Sequence, residues 1–154
     1  MSEKHLYQVD LKWKEGRIGE VSSPDLDVVI ECATPPEFPQ GVENIWSPEH
    51  FYAAAINSCF MTTFLAVAEN SKLKFESFEC KTIIALEMID RRFLISEAEI
   101  QPILELTHPE KDGDKALRVL EKSSALCLVT NSMKTEIKLN PTLVNLSEIR
   151  ADKK

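Results

Sequence analysis

The chain has 154 residues, a length that suits one domain or one subunit of an intertwined dimer. Hydrophobic residues make up 44% and charged residues 28%, which is ordinary for a soluble globular protein. The formal net charge of −7 disfavours a nucleic-acid partner, because neutralising phosphates requires clustered lysine and arginine. No basic region followed by an apolar run opens the chain, so no secretion signal is predicted. We therefore expect a cytoplasmic protein whose four cysteines stay reduced.

The first third of the chain predicts three strands followed by a long loop. Alternation from Tyr7 to Trp13 indicates a half-buried strand, and a turn at residues 14–16 leads to a return strand over residues 17–21. A β-branched run predicts a third strand over residues 27–32. Three prolines predict a loop over residues 33–46, whose length indicates a functional or interface role.

A long apolar helix is predicted next. Ser47 can cap it, Pro48 fits its first position, and Glu49 suits the positive end of the helix dipole. The helix should continue to about Ser71. Residues 51–68 carry no formal charge and approach the length of a membrane span, but several polar side chains interrupt them. We interpret the segment as a central helix buried on most sides and expect no membrane partner.

The rest of the chain predicts two long strands, a helix and a short last strand, over residues 75–87, 92–107, 114–127 and 135–139. A phase shift in the second long strand indicates a β-bulge around Pro102. Residues 109–113 are expected to form a loop, and residues after Val144 a loose tail. The order βββ-α-ββ-α-β indicates an α+β fold with helices on an antiparallel-rich sheet.

Two of the cysteines, Cys59 and Cys127, lie in helical stretches, and their spacing cannot decide whether they touch. Cys32 and Cys80 lie in strand patterns and are interpreted as structural fillers, the usual role of a buried free cysteine. Taken alone, Cys59 has the same interpretation. No C-x₂₋₄-C pair occurs and the three histidines are scattered, so no metal site or cofactor is expected.

The sequence segments around the two cysteines resemble motifs of the OsmC/Ohr family (osmotically inducible protein C and organic hydroperoxide resistance protein). They are a Pro-Glu helix start, an Ala-rich turn before Cys59-Phe60, and a later helix ending in Cys127 before Asn-Ser. The resemblance covers about residues 7–143 and implies a single domain within residues 1–154. It implies an α+β fold with a long buried central helix and an intertwined two-fold homodimer.

Three departures from the family pattern leave the subgroup open. Ser47 stands where Asn is usual, Leu128 follows the second cysteine where Pro is common, and a single Gly precedes Arg17 where two are frequent. These differences affect the expected substrate preference and not the expected fold.

The resemblance implies a thiol peroxidase. Peroxide would oxidise Cys59 to a sulfenic acid, which Cys127 would condense into a disulfide. A dithiol reductant, typically a lipoyl group in this family, would restore the thiols by exchange. The implied oxidant is an organic or fatty-acid hydroperoxide, and the implied role is protection against oxidative stress.

The family pattern also assigns roles to Arg17 and Glu49. Arg17 would stabilise the thiolate and polarise the peroxide, and Glu49 would orient Arg17 through a bidentate pair. A cation is expected because a buried thiol otherwise has a raised pKa. Glu49 lies ~15 Å from Cys59 along a straight helix, so the resemblance implies that the partner subunit donates these residues. Without it, Arg17 is a surface charge and Glu49 a helix-end carboxylate.

Apolar residues near the cysteines, namely Phe60, Phe64 and Leu128, either line a substrate pocket or belong to the core. Three other functions stay open. The first alternative is a peroxidase for other peroxides. The second is a non-catalytic small-molecule or lipid-binding module in which Cys59 only packs, and the third is a redox sensor. In a sensor, the Cys59–Cys127 disulfide would change a partner surface without efficient turnover.

Overall fold

The computed structural model describes residues 3–144, so the predicted tail after Val144 lies outside the described residues. The chain divides into two compact units, Met1–Tyr52 and Ala53–Lys154. Its elements run in the order β1 (Asp10–Glu15), β2 (Ile18–Ser23), β3 (Leu26–Ala33), α1 (Pro48–Asn70), β4 (Phe75–Ile89), β5 (Arg92–Leu106), α2 (Pro109–Leu126), α3 (Leu128–Asn131), β6 (Glu136–Leu139) and β7 (Thr142–Val144). The predicted α+β class is confirmed.

The first unit contains an antiparallel sheet in the order β1-β2-β3. Gly16 makes the β1–β2 turn at φ +50°, a left-handed conformation that glycine adopts without strain. The prediction that β1 is half-buried is wrong. Leu11 and Trp13 are 70% and 71% exposed.

Helix α1 begins with a reciprocal cap between Ser47 and His50. The His50 backbone N–H donates to Ser47 Oγ (3.3 Å), and the Ser47 backbone N–H donates to His50 Nδ1 (3.1 Å). The two side chains also meet, with Ser47 Oγ 2.6 Å from His50 Nδ1. The arrangement is a capping box in which His takes the place of the usual Glu or Gln. The predicted helix start is therefore confirmed, and His50 has a structural role that the sequence did not indicate.

One face of α1 is buried, at positions three or four residues apart: Ile56, Cys59, Phe60, Phe64, Val67 and Ala68. The prediction of burial on most sides is wrong for the single chain, because Met61 and Leu65 are 40% and 43% exposed. Among the described residues, α1 is also the one helix long and apolar enough to cross a membrane, with a mean hydropathy of 1.5, and 28% of that stretch is buried.

The second unit is built on the antiparallel pair β4–β5, and both β6 and β7 add to β5 in parallel. The bulge predicted at Pro102 is wrong. Pro102 is buried and pairs in register with Cys80, whereas the register shifts at Ser96, between the pairs Ala85–Glu97 and Leu86–Ile95. Pro102 occupies an apolar core position, so buried and exposed side chains continue to alternate through it. The alternation in β5 changes phase earlier in the strand, at Ser96.

Helix α2 begins at Pro109, five residues before the predicted start at Asp114. Pro109 fits the first helical turn because its missing N–H has no partner there in any helix. Gly113 lies inside the helix instead of in a loop, with no neighbouring atom within 4 Å of the position of a Cβ. The helix ends at Leu126, and the short helix α3, which was not predicted, follows Cys127.

The cap of α1 leads to a stability prediction. Ser47→Ala removes the hydroxyl that accepts from the His50 N–H, and we expect it to lower the free energy of unfolding by about 1 kcal/mol. His50→Gln keeps an acceptor for the Ser47 N–H and should change stability less than His50→Ala does. Urea unfolding followed by circular dichroism measures all three, and equal midpoints for Ser47→Ala and the parent chain would contradict the cap.

Candidate active site

Cys59 lies in the buried face of α1, with 9% of its surface exposed. It is far from the helix N-terminus, whose electrostatic influence fades within the first turn. Thr63 follows one turn later, with its Oγ1 4.0 Å from Cys59 Sγ. The environment of the sulfur is therefore set by side chains and backbone from elsewhere in the second unit.

Cys127 occupies the break between α2 and α3. Its backbone is extended (φ −63°, ψ 110°), so it ends one helix and precedes the next. Its N–H donates to Ser124 O (3.4 Å), and its carbonyl accepts from the Asn131 N–H (3.0 Å) and the Thr130 hydroxyl (3.2 Å). Because α3 starts only at Leu128, its first backbone N–H groups lack partners within that helix. They are available to a neighbouring acceptor.

That acceptor is the sulfur of Cys59. Burial raises the pKa of the Cys59 thiol, but hydrogen bonds to the sulfur outweigh burial. The largest comes from the Val129 backbone N–H, followed by the Cys127 side chain. Smaller ones come from the Thr63 hydroxyl and the Leu128 backbone N–H, and together the four donors lower the pKa of Cys59. A thiol with a lowered pKa is more often the reactive thiolate.

The structure thus brings Cys59 and Cys127, both free cysteines, close enough for the Cys127 side chain to contribute to the lowered pKa of Cys59. It also corrects the expectation that this buried thiol needs a nearby cation for a lowered pKa. Backbone N–H groups and neutral side chains favour the thiolate here by donating hydrogen bonds to it. The sequence held no signal for them, because backbone donors belong to every residue except proline.

Arg17 and Glu49 lie in the first unit and do not pair in the chain. Arg17 is exposed after the Gly16 turn and, with Trp13 and Cys32, lines an open and mostly apolar cavity of about 270 Å³. It makes no ion pair with any residue between 3 and 144. Glu49 is half-buried, and its Oε2 is buried with no hydrogen-bond partner among the described residues.

The predicted substrate-lining residues fall into two environments. Phe60 and Phe64 are fully buried, and both rings stack on Phe78, at centroid distances of 6.2 and 4.6 Å. They belong to the core, which was the alternative interpretation of these residues. Leu128 is 70% exposed beside Cys127 and is the one of the three with a surface that a ligand can touch.

The other two cysteines lie apart from this pair. Cys32 is half-buried in β3, and Cys80 is half-buried in β4. Burial raises the pKa of the Cys80 thiol, and the nearby Thr82 side chain opposes this rise only in part. Within the part of the chain that the structure describes, no group of three or more His, Cys, Asp or Glu side chains is placed to hold a metal ion.

Solved structures similar to this chain share its fold. An OsmC-like protein of unknown function from Vibrio cholerae superposes with a TM-score of 0.79 and 20% sequence identity, covering 92% of this chain and 99% of its own. An organic hydroperoxide resistance protein from Elizabethkingia anophelis superposes with a TM-score of 0.70 and 23% sequence identity, covering 93% of this chain and 99% of its own. The organic hydroperoxide resistance protein OhrB of Bacillus subtilis superposes with a TM-score of 0.64 and 17% sequence identity, covering 91% of this chain and 100% of its own.

Sequence comparison identifies the family directly. No curated protein sequence matches the chain significantly. The family model of OsmC-like proteins matches residues 41–142, which include both Cys59 and Cys127 and make up well over half of the chain. The chain therefore belongs to the OsmC-like protein family.

Proposed function

We propose that this protein is a thiol peroxidase that reduces organic hydroperoxides through Cys59 and Cys127. The observation that carries the proposal is a buried free thiol, Cys59, whose pKa is lowered in part by a second buried free thiol, Cys127. A thiolate is the nucleophile that peroxide chemistry requires, and a neighbouring thiol is what converts the oxidised product into a disulfide. Two structurally similar proteins are named organic hydroperoxide resistance proteins, which agrees with this chemistry.

The proposed reaction proceeds in two steps. The Cys59 thiolate attacks the terminal oxygen of the hydroperoxide, the O–O bond breaks, and the alkoxide leaves and takes up a proton to become an alcohol. The Cys127 sulfur then attacks the Cys59 sulfenic acid, an S–S bond forms, and the hydroxyl group leaves as water with the proton of Cys127. A dithiol reductant, for which a lipoyl-bearing protein is suited, returns both cysteines to thiols by exchange.

A homodimer is part of the proposal, because neither Glu49 nor Arg17 has an ion-pair partner among residues 3–144. A buried carboxylate oxygen without a hydrogen bond is costly, and a guanidinium supplies two parallel donors to a carboxylate. The exposed apolar residues Met61 and Leu65 of α1 also suit burial against a second copy. In this dimer the Glu49 carboxylate orients the guanidinium of Arg17 by pairing with it, and the oriented Arg17 polarises the peroxide.

The first prediction from the proposed function tests the roles of the two cysteines. The reduced protein, mixed with one equivalent of an organic hydroperoxide, should lose two thiols and about 2 Da of mass, and yield a linked Cys59–Cys127 peptide. Cys127→Ser should stop at a Cys59 sulfenic acid, detected by a dimedone adduct. Cys59→Ser should keep its remaining thiols. Unchanged thiols in the parent protein would contradict the peroxidase and favour the binding module.

The second prediction concerns pH. Because the pKa of Cys59 is lowered, its thiolate persists at a lower pH than an ordinary thiolate and is lost as the pH falls through that pKa. Alkylation of Cys59 by iodoacetamide, measured peptide by peptide, should therefore continue at pH values where Cys80, whose pKa is raised, has stopped reacting. Cys127→Ala removes one donor and should move the Cys59 profile to higher pH; an unmoved profile would contradict the contact.

The third prediction separates Arg17 from thiolate formation. Arg17→Ala should slow the reaction with organic hydroperoxide at least tenfold, the loss expected for one charged transition-state contact. It should leave the iodoacetamide profile of Cys59 and the unfolding midpoint nearly unchanged. Stopped-flow thiol loss measures the rate, and Arg17→Lys serves as the control that keeps the charge without the bidentate geometry. Equal peroxide rates in the three proteins would exclude this role for Arg17.

A further inference from the structure

Two adjacent threonines follow Cys59 by one turn of α1, and their hydroxyl groups point to different atoms of the same residue. The Thr62 hydroxyl donates to the Cys59 backbone carbonyl at 3.0 Å, the usual bond of a threonine inside a helix. Thr63 Oγ1 instead lies 4.0 Å from Cys59 Sγ. Residues four apart share one helix face, so the helix itself holds the Thr63 hydroxyl beside the sulfur.

A hydroxyl group in this place acts differently on the two forms of the cysteine. A thiolate can only accept hydrogen bonds, so the Thr63 hydroxyl turns to donate to it, whereas a neutral thiol gains less from the same contact. The bond favours the charged form, which agrees with the direction of the Thr63 contribution to the pKa of Cys59.

Thr63 also differs from the neighbouring side-chain donor, Cys127. In the proposed reaction Cys127 gives up its proton and then binds covalently to Cys59, so its hydrogen bond is lost within each cycle. Thr63 has no redox chemistry and stays on the same helix turn as the sulfur. It is therefore the side-chain donor to Cys59 that the reaction does not consume.

We propose that Thr63 is a positioning residue of the Cys59 site, whose hydroxyl donates to the sulfur and maintains the reactive thiolate. Its importance for peroxide reduction rests on the proposed function, whereas its effect on the thiolate does not.

The test compares three variants by their pH profiles of Cys59 alkylation with iodoacetamide. Thr63→Val keeps the shape of the side chain and removes the hydroxyl, Thr63→Ser keeps the hydroxyl, and Thr62→Val removes the neighbouring hydroxyl as a matched control. At acidic pH, Thr63→Val should react roughly three- to tenfold more slowly than the parent protein, the loss expected for one hydrogen bond. At alkaline pH, where every variant is ionised, the rates should converge. A merely structural role would not produce this convergence.

Thr63→Ser and Thr62→Val should follow the parent profile. Superposable profiles for Thr63→Val and the parent, or an equal displacement in Thr62→Val, would overturn the proposal. Thr63→Ala provides the same test if valine disturbs the half-buried site, and thermal unfolding shows whether each variant is folded.

A parallel measurement with organic hydroperoxide distinguishes this inference from the proposed function. A displaced alkylation profile together with thiols that hydroperoxide leaves intact would support the role of Thr63 and reject the peroxidase. A peroxide-reactive Cys59 whose alkylation profile ignores Thr63 would support the peroxidase and reject the role of Thr63.

Discussion

The site depends on the balance between the burial of Cys59 and the donors that face its sulfur. Burial raises the pKa of the thiol, and the donors to the sulfur lower it by more than burial raises it. Two of them, the N–H groups of Leu128 and Val129, are available only because the helix is interrupted at Cys127. The same interruption turns the Cys127 side chain towards Cys59. One local break in a helix therefore supplies both the activating donors and the second thiol.

The hairpin β4–β5 is the common support of the two cysteines. Helix α1 rests on it through the stacking of Phe60 and Phe64 on Phe78 of β4, which orients the face that carries Cys59. Helix α2, which carries Cys127 at its end, packs against β5. Because both helices pack on the same pair of strands, the distance between the two sulfurs depends on this packing and not on a flexible loop.

Most elements of the fold were predictable, because strong local signals mark them, such as Ser47-Pro48 at the start of α1. The predictions are wrong where two signals compete. Gly113 favours a loop, but Pro109 begins a helix that includes it, and Pro102 favours a bulge, but it is buried and paired in register. Family resemblance singled out Cys59 and Cys127, whose catalytic roles stay predictions. The donors that lower the pKa of Cys59 could not be predicted, because backbone N–H groups and the Thr63 hydroxyl act through positions that only the folded chain defines.

The donors to Cys59 within the second unit limit the role that the proposed mechanism requires of Arg17. If donors from α3, Cys127 and Thr63 already favour the thiolate, the guanidinium is not required to ionise Cys59. In the proposed mechanism its remaining task is the other partner of the reaction, the O–O bond, where negative charge develops on the departing oxygen. A cation is most effective there when it is held in place beforehand. Glu49 Oε2, which is buried without a hydrogen-bond partner among residues 3–144, is suited to that holding role, because a guanidinium would supply the donor that this oxygen lacks.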